Sequence, residues 1–284
     1  MTIQIFYVPG KPYFYESFND ILIQKDYYLI KYINCSGCNL TELPTILPSG
    51  LIGLYCENNL LTYLPELPYT LQKLRCDYNN LCKLPELPTT LDELCCSYNK
   101  LSELPVLGDE MYYTLKYMSI HNSRLRKLIC NNNRLTVLPT IPCSLYHLEC
   151  KNNLLTQLPQ LPIFIRTLDI SYNKFKMFPK NITHHLGLIT FNCNNNKITH
   201  PLPCLPESIM HLNISNNPIK TISNLLPDKL HYFNLSNTLI TRIPNIPKCI
   251  QQIVGIKINI IERRVQDEGR CKTSALGRLN QLLT

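Results

Sequence analysis

The chain has 284 residues, 45% of them hydrophobic, which is enough apolar sequence for a substantial core. No stretch approaches the ~18 consecutive apolar residues of a membrane span and no signal peptide is recognisable, so we expect a cytoplasmic protein. The formal charge of +8 divides into −4 over residues 1–124 and +12 over residues 125–284. This imbalance indicates either a polar partner bound in one orientation or an unrelated drift of surface composition.

The N-terminal segment is rich in Tyr and Phe and differs from everything that follows it. Residues 9–12 read Pro-Gly-Lys-Pro, a turn sequence that separates two β-prone runs. We therefore predict that residues 1–29 form an N-terminal cap, folded as a short hairpin.

From residue 30 onward the sequence repeats the pattern L-x-x-L-x-(C/I/L)-x-x-N-x-L about every 20 residues. The copies start at residues 30, 51, 71, 91, 125, 145, 165, 188, 209, 230 and 250. A period near 20 with this pattern is the leucine-rich-repeat signature. Residues 30–260 are thus predicted to form a leucine-rich-repeat solenoid (horseshoe) of about 11 repeats. It should have a concave parallel β-sheet and an extended, mostly non-helical convex side.

Each position of the repeat has a predicted role. Positions one, four, six and eleven point into the core, and positions three to five form a short strand. The Asn at position nine turns inward and satisfies backbone groups at the bend, in Asn59, Asn79, Asn99, Asn133, Asn153, Asn173, Asn196 and Asn217. Position six often holds Cys, which we interpret as a buried thiol rather than a disulfide. These cysteines are Cys35, Cys56, Cys76, Cys96, Cys130, Cys150 and Cys193.

A second motif, L-P-x-L-P, lies between the strands, as in LPELP from Leu64 and again from Leu84. Proline removes a backbone donor and keeps the preceding residue out of helical geometry. The motif therefore predicts extended backbone, close to polyproline II, on the convex side.

The two motifs together resemble the short bacterial-type leucine-rich repeats of YopM-like and IpaH-like effectors, and similar repeats occur in giant DNA viruses of amoebae. The resemblance covers about residues 30–260 and implies the fold. IpaH-like effectors add a C-terminal ubiquitin-ligase domain with a catalytic Cys. Only about 24 residues follow the last repeat here, so the ligase domain is not expected. Residues 261–284 are predicted to be a C-terminal cap or tail.

The repeat period is broken once, because 34 residues separate Asn99 from Asn133. This predicts an irregular insertion near residues 105–124. The insertion is either a binding loop that contains Met111, Tyr112 and Tyr113 or an irregular rung that completes the core.

Positions three and five should present their side chains on the concave face, where Tyr, Arg and His combine contact area with hydrogen bonding. The candidate partner-binding residues are Tyr55, Lys73, Arg75, Glu93, Lys127, His147, Glu149, Asp169, Asn192, His211, Asn213 and Tyr232. The alternative is that these columns only keep the sheet soluble. Glu149 and Asp169 share one column near His147, which would suit a divalent-cation site or two coupled carboxylates with one raised pKa; we favour the interpretation as independent solvated side chains.

The sequence contains no Gly-rich phosphate loop, Ser-His-Asp arrangement or metal-ligand set, so we expect no enzyme activity and no cofactor. We predict a non-enzymatic scaffold that binds an unidentified protein, such as a host protein, through its concave face. The alternative is nucleic-acid or anionic-surface binding through the basic C-terminal half. Basic residues there are scattered among Asn and Ser rather than clustered, which makes nucleic acid the weaker interpretation. No membrane partner is expected.

Overall fold

The computed structural model of the protein describes residues 2–8, 10–107, 123–180, 182–223 and 225–255. The chain divides into two compact units, Met1–Pro162 and Ile163–Thr284. Most of the insertion near residues 105–124 and all of the predicted cap or tail at residues 261–284 lie outside the described residues.

The first unit begins with an antiparallel hairpin of β1 (Ile3–Phe6) and β2 (Tyr13–Tyr15). Helix α1 (Phe18–Leu22) follows, and a capping box between Ser17 and Asp20 fixes its start. A 3-10 turn at Tyr27–Leu29 leads into the repeats. Strand β1 also pairs antiparallel with the first repeat strand, so the hairpin covers the open edge of the repeat sheet.

Every repeat of the first unit contributes one three-residue strand, and neighbouring strands pair in parallel without a register shift. The strands are β3 (Tyr32–Asn34), β4 (Gly53–Tyr55), β5 (Lys73–Arg75), β6 (Glu93–Cys95), β7 (Lys127–Ile129) and β8 (His147–Glu149). The prediction that positions three to five form strands is confirmed. Strands β6 and β7 pair directly, so no strand lies between them although the period is broken there.

The second unit has the same construction. Its strands are β9 (Thr167–Asp169), β10 (Thr190–Asn192), β11 (His211–Asn213), β12 (Tyr232–Asn234) and β13 (Gln252–Val254). They pair in parallel in chain order, and a 3-10 turn at Ile182–His184 is the only helical element among the described residues of this unit. The outer side of both units is extended, as the L-P-x-L-P motif predicts, and the leucine-rich-repeat solenoid fold is confirmed.

The core consists of the apolar positions of the repeat. In the second copy, Leu51, Leu54, Cys56 and Leu61 are all fully buried. The position-six thiols also connect the copies, since Cys56 Sγ lies 3.5 Å from the carbonyl oxygen of Arg75 in the next copy. A single copy cannot bury these side chains alone, so stability comes from the contacts between neighbours.

The position-nine asparagines form a ladder beside this core. The Nδ2 group of Asn79 donates to the carbonyl oxygens of Cys56 at 2.9 Å, Cys76 at 3.2 Å and Asp77 at 3.3 Å. Its Oδ1 accepts from the backbone N–H of Leu61 at 3.0 Å. Asn99 and Asn133 repeat this arrangement, so the asparagines satisfy backbone groups both within a copy and between copies.

No helix in the described part of the chain combines the length and the apolar composition needed to cross a bilayer.

Candidate functional site

In the first unit, positions three and five form two columns on one face of the sheet. The strand register places Lys73 opposite Glu93, and Glu93 opposite Lys127. Strands in a sheet are ~4.8 Å apart, so these side chains occupy adjacent places. In the neighbouring column, Arg75 follows Tyr55 in the same way. The sheet thus brings most of the predicted residues of this unit together.

A buried carboxylate lies at the centre of this face. The Glu93 side chain is only 11% exposed, and its Oε1 accepts from Arg75 Nη2 at 2.9 Å and from Lys127 Nζ at 3.0 Å. Cys95 Sγ is 3.4 Å from the same oxygen. Burial alone would raise the pKa of Glu93, but the hydrogen bond from Lys127 and the charge of Arg75 hold that pKa below its ordinary value. Glu93 is therefore ionised and fixes the two basic side chains.

The Arg75 side chain is held on two sides while it remains 41% exposed. Its guanidinium carbon lies 5.8 Å from the centre of the Tyr55 ring, within cation–π range, and its Nη2 is bonded to Glu93. Its Nε is buried and has no hydrogen-bond partner in the part of the chain that the structure describes. The guanidinium thus keeps donor capacity that the protein itself does not use.

A second polar pair lies on β8 of the first unit. His147 Nε2 and Glu149 Oε1 are 2.7 Å apart, and Asn131 Nδ2 donates to Glu149 Oε2 at 3.0 Å. The bond to His147 lowers the pKa of Glu149, burial opposes that shift, and the bond from Asn131 lowers the pKa further. Both side chains are half-buried and fixed in place.

The second unit presents a more neutral face. Asn192 Nδ2 donates to Asp169 Oδ2 at 3.0 Å, and Ser171 Oγ donates to Asp169 Oδ1 at 2.6 Å. The rings of His211 and Tyr232 lie 6.4 Å apart between their centres. A shallow depression is lined by Thr190, Phe191, Asn192, His211, Leu212, Asn213 and Tyr232.

Two predicted placements need correction. Glu93 was expected to be a contact residue on the concave face, but it is 8% exposed and lies under Arg75 and Lys127 because both basic groups bond to its carboxylate. Cys95 is position five of the copy that starts at residue 91 and was therefore expected on the same face. It is 6% exposed, and burial raises the pKa of its thiol to about 12. The described residues include no group of three or more His, Cys, Asp or Glu side chains with the arrangement of a metal site.

The sequence reasoning missed a column of residues with left-handed backbone at position eight. Tyr78 and Tyr98 both have φ near +55°, at 55° and 54°, and their rings stack with centres 4.2 Å apart. Most copies have Asn or Gly at this position, which tolerate that conformation, and this enrichment was the available signal. The two tyrosines form a half-exposed aromatic pair in the loops after β5 and β6.

A comparison with protein-family models gives no match, and neither does a comparison with curated proteins. Among solved structures, YopM from Yersinia enterocolitica WA-314 is 27% identical over 79% of this chain, with a TM-score of 0.58. The match covers 55% of the YopM chain, so this chain spans little more than half of that protein.

Two further structures are similar. The leucine-rich-repeat domain of a Shigella effector is 30% identical with a TM-score of 0.51, over 58% of this chain and 69% of the domain. A complex of latrophilin 3, Unc5D and the leucine-rich-repeat region of FLRT2 matches at 18% identity with a TM-score of 0.55, over 78% of this chain and 80% of the matched chain. That last likeness is one of fold alone. These similarities agree with the parallel pairing of the strands, and the chain has the leucine-rich-repeat fold.

Proposed function

We propose that the protein is a non-enzymatic interaction scaffold that binds another protein through the sheet faces of its repeats. The observation that carries this proposal is that large side chains at positions three and five remain partly exposed. Tyr55, Arg75 and Tyr232 are half-exposed on the sheet faces, and none of them is needed to fill the core. Tyr and Arg contribute most to protein interfaces when they are presented in fixed positions.

The contacts beneath these side chains support the proposal. Arg75 is fixed by Glu93 and Tyr55, and His147 is bonded to Glu149, so binding would cost little side-chain entropy. FLRT2, a protein of the same fold, assembles with latrophilin 3 and Unc5D. A solenoid of this kind is therefore suited to contact a partner across several neighbouring strands.

The alternative of a nucleic-acid site in the basic C-terminal half receives no support from the second unit. Among the described strand residues of that unit, positions three and five are Thr, Asp, Asn, His, Tyr, Gln or Val. None of them is Lys or Arg. Since phosphate contacts dominate nucleic-acid affinity, a sheet face without fixed cations is poorly suited to that role.

We expect the protein to act in a reducing compartment and to bind a host protein there. The position-six thiols Cys56, Cys76 and Cys96 lie in consecutive copies and are fully buried, where they act as small core residues. Thiols in such numbers are typical of proteins that fold under reducing conditions. The likeness to the leucine-rich-repeat domain of a Shigella effector supports this choice of partner.

Affinity capture from a host-cell lysate with identification by mass spectrometry tests this function. The sheet variant carries Tyr55→Ala and Tyr232→Ala, one change in each unit. The control carries Tyr69→Ala and Phe164→Ala, which are exposed turn residues outside the strands. We expect a protein captured by wild type and by the control but not by the sheet variant, provided that all three have the same circular dichroism spectrum. Equal capture by all three would contradict the proposal.

A further inference from the structure

We propose that Lys73, Arg75 and Lys127, which we call the basic cluster, form an oxyanion-binding site for an acidic side chain of the partner. The inference rests on the proposed function, because it assigns a chemistry to one part of the same sheet face. The oxyanion is a carboxylate of Asp or Glu or the phosphate of a phosphorylated residue, which such donors recognise in the same way.

The basic cluster spans three adjacent strands of the first unit. Lys73 and Lys127 flank Glu93 in one column, and Arg75 lies one pleat away on β5. Arg75 and Lys127 converge on a single oxygen of Glu93, at 2.9 Å and 3.0 Å, so their charged ends are close to each other. The donors therefore come from two strands, β5 and β7, on either side of Glu93, and Glu93 fixes two of them, Arg75 and Lys127.

The charges of this site do not balance. Arg75 and Lys127 share the carboxylate of Glu93, and Lys73 lies opposite Glu93 in the strand register, so three cations are placed around one bonded carboxylate. The side chain of Glu93 is 11% exposed, whereas those of Arg75 and Lys127 are 41% and 33% exposed. The protein's own carboxylate therefore lies beneath the cations and leaves their outer side open.

The surroundings favour a protein side chain over a long polyanion. Glu57 and Asp77 lie just past the ends of β4 and β5, where their carboxylates are held by Ser36 Oγ and by the Ser97 N–H. Glu149 lies on β8, the strand after that of Lys127. A nucleic-acid strand that continued beyond the basic cluster would meet these negative charges. A single acidic side chain, flanked by neutral residues that contact Tyr55, meets none of them.

The inference is tested with the full chain at low salt and two fluorescent peptides. Binding of each peptide is measured by fluorescence anisotropy. One is a (Gly-Ser)3-Glu-(Ser-Gly)3 peptide with a single acidic side chain, and the other carries phosphoserine in place of that Glu. The site variant carries Lys73→Gln, Arg75→Gln, Lys127→Gln and Glu93→Gln, so that no buried carboxylate is left without its partners. The control carries Lys83→Gln and Lys100→Gln, two exposed residues away from the sheet face, and it loses the same net charge.

We expect the site variant to bind at least about tenfold more weakly than wild type, while the control stays within about twofold. Glu93→Gln alone removes the competing carboxylate and should strengthen binding several-fold, a gain that unfolding cannot produce. The peptide with the higher affinity identifies the source of the oxyanion. Equal weakening in the site and control variants, no binding of either peptide to wild type, or no change in Glu93→Gln would each overturn the inference. If one of these results is obtained while capture from lysate still depends on Tyr55 and Tyr232, the oxyanion site is refuted but the proposed function is not.

Discussion

Removing one rung of the asparagine ladder should destabilise the solenoid by a predictable amount. In Asn79→Ala, the backbone N–H of Leu61 loses its acceptor at 3.0 Å and is left buried. The carbonyl oxygens of Cys56 and Cys76 each keep a second bond, from Asn59 and Asn99. The main cost is therefore the stranded N–H, worth about 1–3 kcal/mol, with a smaller contribution from the lost carbonyl bonds. We expect a loss of about 2–3 kcal/mol in the free energy of unfolding.

The measurement is urea denaturation followed by circular dichroism. Asn80→Ala is the matched control, because Asn80 is the next residue and its contact to the Leu61 carbonyl is made by its backbone N–H, which the substitution keeps. The control should change the free energy of unfolding by less than about 0.5 kcal/mol. If Asn79→Ala is no less stable than Asn80→Ala, the reasoning about the ladder is refuted.

The buried thiols, the carboxylates of Glu93 and Glu149, and Gly255 each allow a further test. In the native protein, a thiol reagent should react quickly with the exposed cysteines. The position-six cysteines should react only after unfolding, because burial raises the pKa of thiols such as Cys76. Mass spectrometry of the labelled peptides distinguishes the two groups. Because the pKa values of Glu93 and Glu149 are lowered, their ionised forms stabilise the fold above pH 4.5, and this stabilisation is lost as the pH falls through the lowered values. Denaturation is measured at pH 6 and at pH 3.5. The free energy of unfolding should fall less between these two pH values in Glu93→Gln than in wild type. Gly255→Ala should release β13, because Gly255 has φ of +90° and a Cβ there would collide with the backbone of Ser236. Faster hydrogen exchange at Gln252–Val254 checks this, and unchanged exchange would refute it. Among the residues that the structure describes, the exposed cysteines are Cys82, Cys143, Cys204 and Cys249.

The parts of the fold that the sequence predicted are those that every copy repeats. Leu54 and Leu74 occupy the same position in successive copies, and a periodic apolar position must point to a shared core. The role of Asn79 was predictable for the same reason, since an amide that recurs at a bend has backbone groups to satisfy. Periodicity thus determined the strands, the ladder and the extended outer side.

The parts that could not be predicted depend on contacts particular to one place. Glu93 is buried because its neighbours on β5 and β7 are basic, and the column pattern alone treats it like any other residue at position three. Helix α1 is five residues long and begins at a local capping box, which the hairpin prediction did not include. The left-handed backbone at Tyr78 was also hidden, because Tyr has no preference for that conformation and only Asn and Gly in other copies indicate it.

The most direct test of the central claim is site-specific photo-crosslinking of the partner. A photoreactive phenylalanine derivative replaces Tyr55 on the sheet face in one preparation and Tyr69 in another. Tyr69 is 77% exposed in the turn before β5, so both probes lie in the same unit and replace the same residue type. We predict that the probe at position 55 crosslinks a protein in lysate and the probe at position 69 does not. Crosslinking from position 69 alone would show that the partner binds away from the sheet face and would contradict the account.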